Sequence, residues 1–143
     1  VRSVTVTNMM FMMPMPPTSR EMAAMPMSSG VLAAARALDS KKGIDIKVLE
    51  TGHLTTLADY FVICTATSTT QIKALADICE KTLKDAGEPP HHVEGHRGGT
   101  WVLLDFSSVV VHIFMDEARK FYDLERLWGD AKPVDLNGIV SGI

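Results

Sequence analysis

The sequence predicts one α/β domain of the mixed, α+β kind, with a sheet of about five strands flanked by helices. Two apolar runs rich in β-branched residues, YFVICT and VVVHIFM, are strand-length and read as buried strands. Segments with apolar residues at helical spacing, VLAAARAL and IKALADICEKTL, sit between and before them. The resulting order is helix, strand, strand, helix, three strands, helix, which suits a mixed sheet with helices packed on it. A chain of 143 residues, 46% hydrophobic and 22% charged, has ordinary globular composition and suffices for one core.

Each element has a local cause. Ser28 or Ser29 can cap a first helix that places Val31, Leu32, Ala35 and Leu38 on one face, and Gly43 offers its stop. Ile46, Val48 and Leu49 suggest a short strand, and Thr51-Gly52-His53 a turn. The central strand follows from Tyr60 to Thr65. Ser68 and Gln71 have the spacing of a capping box, after which Ile72, Leu75, Ala76, Cys79, Leu83 and Ala86 recur at helical intervals up to Gly87. Pro89-Pro90 forces extended backbone, HHVEG can add a strand, and GHRGGT makes a glycine-rich turn into WVLLDF. Ser107-Ser108 then returns the chain as VVVHIFM, an antiparallel hairpin. Asp116 is expected to cap a final helix, EARKFYDLERLW, with Phe121, Leu124, Leu127 and Trp128 on its apolar side. AKPVDLNGIVSGI reads as a tail.

Residues 1–27 are read apart from the domain, which spans 28–136 with 137–143 as the end of the tail. They hold eight of the nine methionines and four prolines, and Pro14, Pro16 and Pro17 break the apolar part that a targeting peptide needs. A start-site artefact or disordered leader is expected, with the natural start at Met27.

Charge narrows the partners. Removing Arg2, Arg20 and Glu21 from 14 basic and 17 acidic residues leaves twelve against sixteen. With no basic run to displace counterions, direct binding of nucleic acid is not expected, and a basic protein is the better electrostatic partner. No stretch approaches the roughly 18 apolar residues of a spanning helix, so no membrane association is expected. Cys64 and Cys79 read as small buried hydrophobes in a reducing compartment rather than as a disulfide.

Candidate chemistry is sparse. The turn from DYFVICTATS into a capped helix can aim N–H groups at a phosphate, as any strand-to-helix turn can, but there is no G-x-G-x-x-G or P-loop lysine. A nucleotidyl transferase needs carboxylates for divalent metals, commonly Asp-x-Asp on a strand; Asp105 stands alone. The sharpest rival signal is HHVEGH, where an extended backbone places His92, Glu94 and His96 on one side as a three-ligand set for zinc. That spacing would serve a metal-dependent transferase or hydrolase, although Gly95 can bend the chain and histidines in a turn are commonly solvated. His112 in an apolar strand reads first as a hydrogen-bonded core histidine. Aromatics gather in the last third, as Trp101, Phe114, Tyr122 and Trp128. Trp101, beside the glycine-rich turn, is expected to be partly exposed and to anchor an interface.

Taken in order, ADYFVICTATS, EG before W, LLD, VVVHIF and the segment R-x-FYDLE-x-LW from Arg119 to Trp128 resemble the ribosomal silencing factor (RsfS/Iojap) family, from about Val31 to Leu136. The resemblance implies a nucleotidyltransferase-like fold without its catalytic carboxylates, in keeping with the missing Asp-x-Asp, and therefore no enzyme and no cofactor. It also implies binding to the large ribosomal subunit through its protein numbered fourteen, in the cytoplasm, so that subunit joining is obstructed and translation repressed. Oligomeric state stays open, a homodimer included. Matched positions are Asp59, Tyr60, Glu94, Gly95, Trp101, Asp105, His112, Phe114, Arg119, Tyr122, Glu125 and Trp128. Gly95 is expected to permit a turn, and Phe114 and Trp128 to pack. Trp101, Asp105, His112 and Tyr122 lead the expected partner contacts, with Arg119, Glu94, Asp59 and Tyr60 behind them.

Overall fold

A computed structural model describes residues 29–95 and 99–140. Its elements are α1 (Ser29–Ser40), β1 (Ile44–Glu50), β2 (Tyr60–Ala66), α2 (Thr69–Asp85), β3 (His92–Glu94), β4 (Trp101–Asp105), β5 (Val109–Met115), α3 (Asp116–Tyr122), α4 (Leu124–Leu127) and β6 (Lys132–Pro133). They form a mixed sheet in the order β3-β4-β5-β2-β1-β6. Only β2 and β5 run parallel, from Tyr60 opposite Val109 to Ala66 opposite Met115. The other pairings are antiparallel.

Alternation along the central strands sorts side chains into two clusters. Val62, Cys64, Val111 and Ile113 meet α1 and α2 through Leu38, Leu75, Cys79 and Leu83. Phe61, Ile63, Val110 and Phe114 face the opposite way, towards Leu54, Leu57, Leu124 and Trp128. β2 is buried at every position, the expected consequence of helices and loops covering both faces.

The local signals act largely as read. Ser68 Oγ accepts from Gln71 N at 3.0 Å, so α2 starts on its predicted cap. The return half of the box is displaced: Gln71 Oε1 accepts from Thr67 N, and its Nε2 donates to Lys41 O and Lys42 O. Gln71 thereby ties the end of α1 to the start of α2. Gly87, at φ +86, ends α2 through Glu88 N donating to Leu83 O. After α1 the left-handed position falls on Lys42, not Gly43; Gly43 is needed because a Cβ there would press on Cys64 Sγ. The hairpin forms around Ser107, at φ +72, with Asp105 Oδ1 accepting its N–H at 2.9 Å.

Four expectations change. The sheet has six strands rather than about five, because Lys132–Pro133 pairs with Glu50 and Leu49; two residues are too few to leave a pattern. The segment read as a tail also buries Leu136 and Val140 against the helical face. The last helix is two: Asp123 takes a left-handed conformation at φ +46, and α3 and α4 meet there at an angle. Asp116 is the first residue of α3 rather than its cap, and it pairs with Lys120. Ser28 lies outside the described residues.

Candidate functional site

Four large aromatic residues, Phe61, Trp101, Phe114 and Trp128, are buried on the sheet face opposite α1 and α2. Trp101 faces Phe114 across β4 and β5, and Leu103 faces His112. Trp101 packs at a tilt against Phe114, with centroids 4.7 Å apart, and against Tyr122 at 4.6 Å. Phe61 meets His112 and Trp128 edge to face at 5.1 and 5.2 Å.

His112 is fully buried, and burial alone pulls its pKa down to about 3, so the ring is neutral at pH 7. Trp101 Nε1 donates to His112 Nδ1 at 3.2 Å. An accepting Nδ1 places the ring proton on Nε2, since a neutral imidazole carries one proton. Among the described residues, His112 Nε2 and Trp128 Nε1 have no acceptor, and both rings lie against Phe61.

The expected partial exposure of Trp101 does not hold: it is 4% exposed, because α3 folds back over β4 and lays Tyr122 on the indole. Phe121 takes the surface position instead. Expected to pack, it is 79% exposed. Adjacent residues on a helix point about 100° apart, so with Tyr122 on Trp101 its neighbour turns outward. The FY pair was the sequence signal for this, since one short helix cannot bury both. Trp101, Phe121, Tyr122, Leu124 and Leu127 line a shallow groove of about 130 Å³.

Arg119 fixes this arrangement. Its guanidinium, 7% exposed, donates from Nε to Glu125 Oε1 at 3.1 Å and from Nη1 to Asp45 O at 2.7 Å and Thr65 Oγ1 at 2.8 Å. Asp45 Oδ2 stands 3.4 Å away. Asp45 is left-handed, at φ +49, within the stretch between Ile44 and Lys47 where the β1–β2 register shifts, so its carbonyl is supplied by an irregularity in β1. One buried cation thus joins α3, α4, β1 and β2.

The other predicted residues lie elsewhere. Asp105 is 1% exposed and holds the hairpin turn; Asp59 is exposed beside it, with its backbone N–H donating to Ser108 O. Tyr60 is 3% exposed, and burial, with Glu50 and Asp59 nearby, raises its pKa. Glu94 sits on β3 opposite Leu103 and pairs with His92 at 3.0 Å. Gly95 makes the expected turn at φ +99, where a Cβ would overlap the Trp101 carbonyl. His96 falls outside the described residues, and no group of three potential metal ligands occurs among those described. Burial pushes the Cys64 thiol up to about 12 and raises Cys79 as well, leaving both unreactive.

A second depression, of about 590 Å³, opens where β2 and β5 end, between α2 and α3. No helix among the described residues is long and apolar enough to cross a membrane.

This architecture recurs in known proteins. Residues 25–142 match the family model described as "Ribosomal silencing factor during starvation". A ribosomal silencing factor of Chromobacterium violaceum is 44% identical over 100 residues, covering 70% of this chain and 82% of that protein. One from Halalkalibacterium halodurans is 38% identical over 108 residues, covering 76% and 92%. A crystal structure of a C. violaceum protein superposes with a TM-score of 0.71 at 41% identity, over 77% of this chain and 92% of that one. With the matched segment running through every described element of the sheet and its helices, the chain belongs to the ribosomal silencing factor family.

Proposed function

We propose that this protein binds the large ribosomal subunit through its protein numbered fourteen and obstructs joining of the small subunit, repressing translation without catalysis. The observation that carries the reading is the groove beside Phe121: a large, exposed aromatic on the segment Arg119–Trp128, set edge-on against half-buried Tyr122, which in turn lies on buried Trp101. Exposed aromatics on a fixed frame are the usual anchors of protein recognition. The acidic excess of the chain favours encounter with a basic protein over RNA. Obstruction needs occupancy and bulk alone, in keeping with a site whose histidine is buried and neutral. The bacterial cytoplasm is the compartment this reading assigns.

Of the contacts expected from the resemblance, Tyr122 is the one that lines the groove at partial exposure, and Glu94 and Asp59 retain access to solvent. Trp101, His112 and Arg119 act in this proposal by shaping the surface from beneath, whereas Asp105 serves the hairpin turn and Tyr60 packs in the opposite core. The test is sedimentation of the full chain with separated subunits under joining conditions. Co-migration with the large subunit and fewer joined ribosomes is expected. Absence of both abandons the proposal.

A further inference from the structure

Two depressions follow one another along helix α3: the larger cleft at its start, lined by Asp116, Glu117 and Ala118, and the aromatic groove at its end, lined by Phe121 and Tyr122. The cleft lies outside the carboxyl ends of the parallel pair β2 and β5, where open sheets commonly receive ligands. Its wall is largely carbon, from residues such as Ile44, Met115 and Ala118, and its rim carries the Thr67 hydroxyl and the carboxylates of Asp116 and Glu117. Among the described residues no lysine or arginine lines it. Asp116 is paired with Lys120 at 2.9 Å, whereas Glu117 is exposed and, although Lys120 lies within its field, forms no ion pair at contact distance with any described residue.

We infer that the cleft receives a lysine or arginine side chain of the protein partner, its aliphatic stem on the carbon wall and its cationic head at Glu117. This deepens the proposed function and rests on it. Three features select such an occupant. An apolar wall with acceptors at the mouth suits a long stem ending in a donor. The full negative charges outweigh the partial positive charge that the α2 N-terminus presents beside them. Glu117 and Phe121 are four residues apart on α3 and so share a face, which makes cleft and groove two parts of one surface, a charged socket beside an apolar anchor.

The experiment measures affinity of the full chain for isolated large subunits between roughly 50 and 200 mM salt. Glu117→Gln is expected to weaken binding about twofold to fivefold at low salt and to flatten its salt dependence, as loss of one exposed ion pair does. Thr69→Lys, at an exposed position lining the same cleft, supplies a rival ammonium and is expected to weaken binding further. Phe121→Ala should weaken binding while keeping the salt dependence of the unaltered chain. Unchanged melting temperatures confirm that the variants fold. If the unaltered chain binds and both cleft variants bind equally well with the same salt dependence, the socket is wrong while the proposed function stands. Tighter binding of Glu117→Gln means that the cleft faces phosphate, which also overturns the inference. No binding by the unaltered chain removes the proposed function and this inference together.

Discussion

One face of the sheet is covered by two regular helices and the other by two short helices and the loop 51–59, and the two coverings differ in chemistry. Beneath α1 and α2 the core is aliphatic apart from Tyr60, Phe106 and two thiols. The opposite face holds Phe61, Trp101, Phe114 and Trp128 packed around neutral His112, with the Arg119 guanidinium joining it to β1. Long amphipathic helices can close a face with apolar area alone. Helices of seven and four residues bury too little, so large rings and a buried cation network hold them down. The second face therefore carries both the specificity of the fold and the exposed surface proposed for recognition.

The largest effects should come from breaking each face at its centre. Phe61→Ala, between His112 and Trp128, should cost roughly 3–5 kcal/mol, and Leu75→Ala under α2 roughly 2–5 kcal/mol, by denaturant unfolding. Sedimentation sharpens the contrast: at temperatures where both variants stay folded, Leu75→Ala should retain large-subunit binding and Phe61→Ala should lose part of it. Equal loss in both would mean that the faces are not functionally separate.

Arg119→Ala comes next, at roughly 2–3 kcal/mol, below the full cost of a broken buried pair because Asp45 and Glu125 keep access to water. Lysine should restore only part of this, since it cannot serve Glu125, Asp45 O and Thr65 together.

His112 predicts a pH effect confined to its own face. Its folded pKa, about 3, lies below the usual 6.5, so the unfolded chain binds the extra proton first. Stability attributable to this group is complete above pH 6.5 and is lost as pH falls towards 3, at up to about 1.4 kcal/mol per pH unit. His112→Asn keeps an acceptor for Trp101 Nε1 and should flatten that slope in thermal melts from pH 7 to 4. An unchanged slope would place the acid sensitivity elsewhere.

The smallest stability change belongs to Phe121→Ala, within about 0.5 kcal/mol, because the ring is in water. Its effect on large-subunit binding should exceed about 1 kcal/mol.

Legibility in the sequence followed the same division. α2, its Ser68 cap and its buried stripe were readable because one helical face meets one sheet. The aromatic face was misread in its details. A position after a glycine-rich turn predicts exposure for Trp101, and EARKFYDLERLW read as one helix predicts burial for Phe121. The break at Asp123 reverses the roles of neighbouring rings. The cleft had only a partial sequence signature, the turn from DYFVICTATS into α2, since the rest of its lining comes from β1, β5, α3 and the approach to β4.

By itself the sequence determined the order of elements as far as β5, the buried strands, the hairpin at Ser107 and the family. These depend on periodicity, capping and turn chemistry, which act over a few residues. Only the tertiary structure decided that β2 runs parallel to β5, that Lys132–Pro133 closes the sheet on β1, and that Arg119 reaches back to Asp45. Such choices join residues tens of positions apart. Their energies come from surfaces that exist only once the other elements are in place.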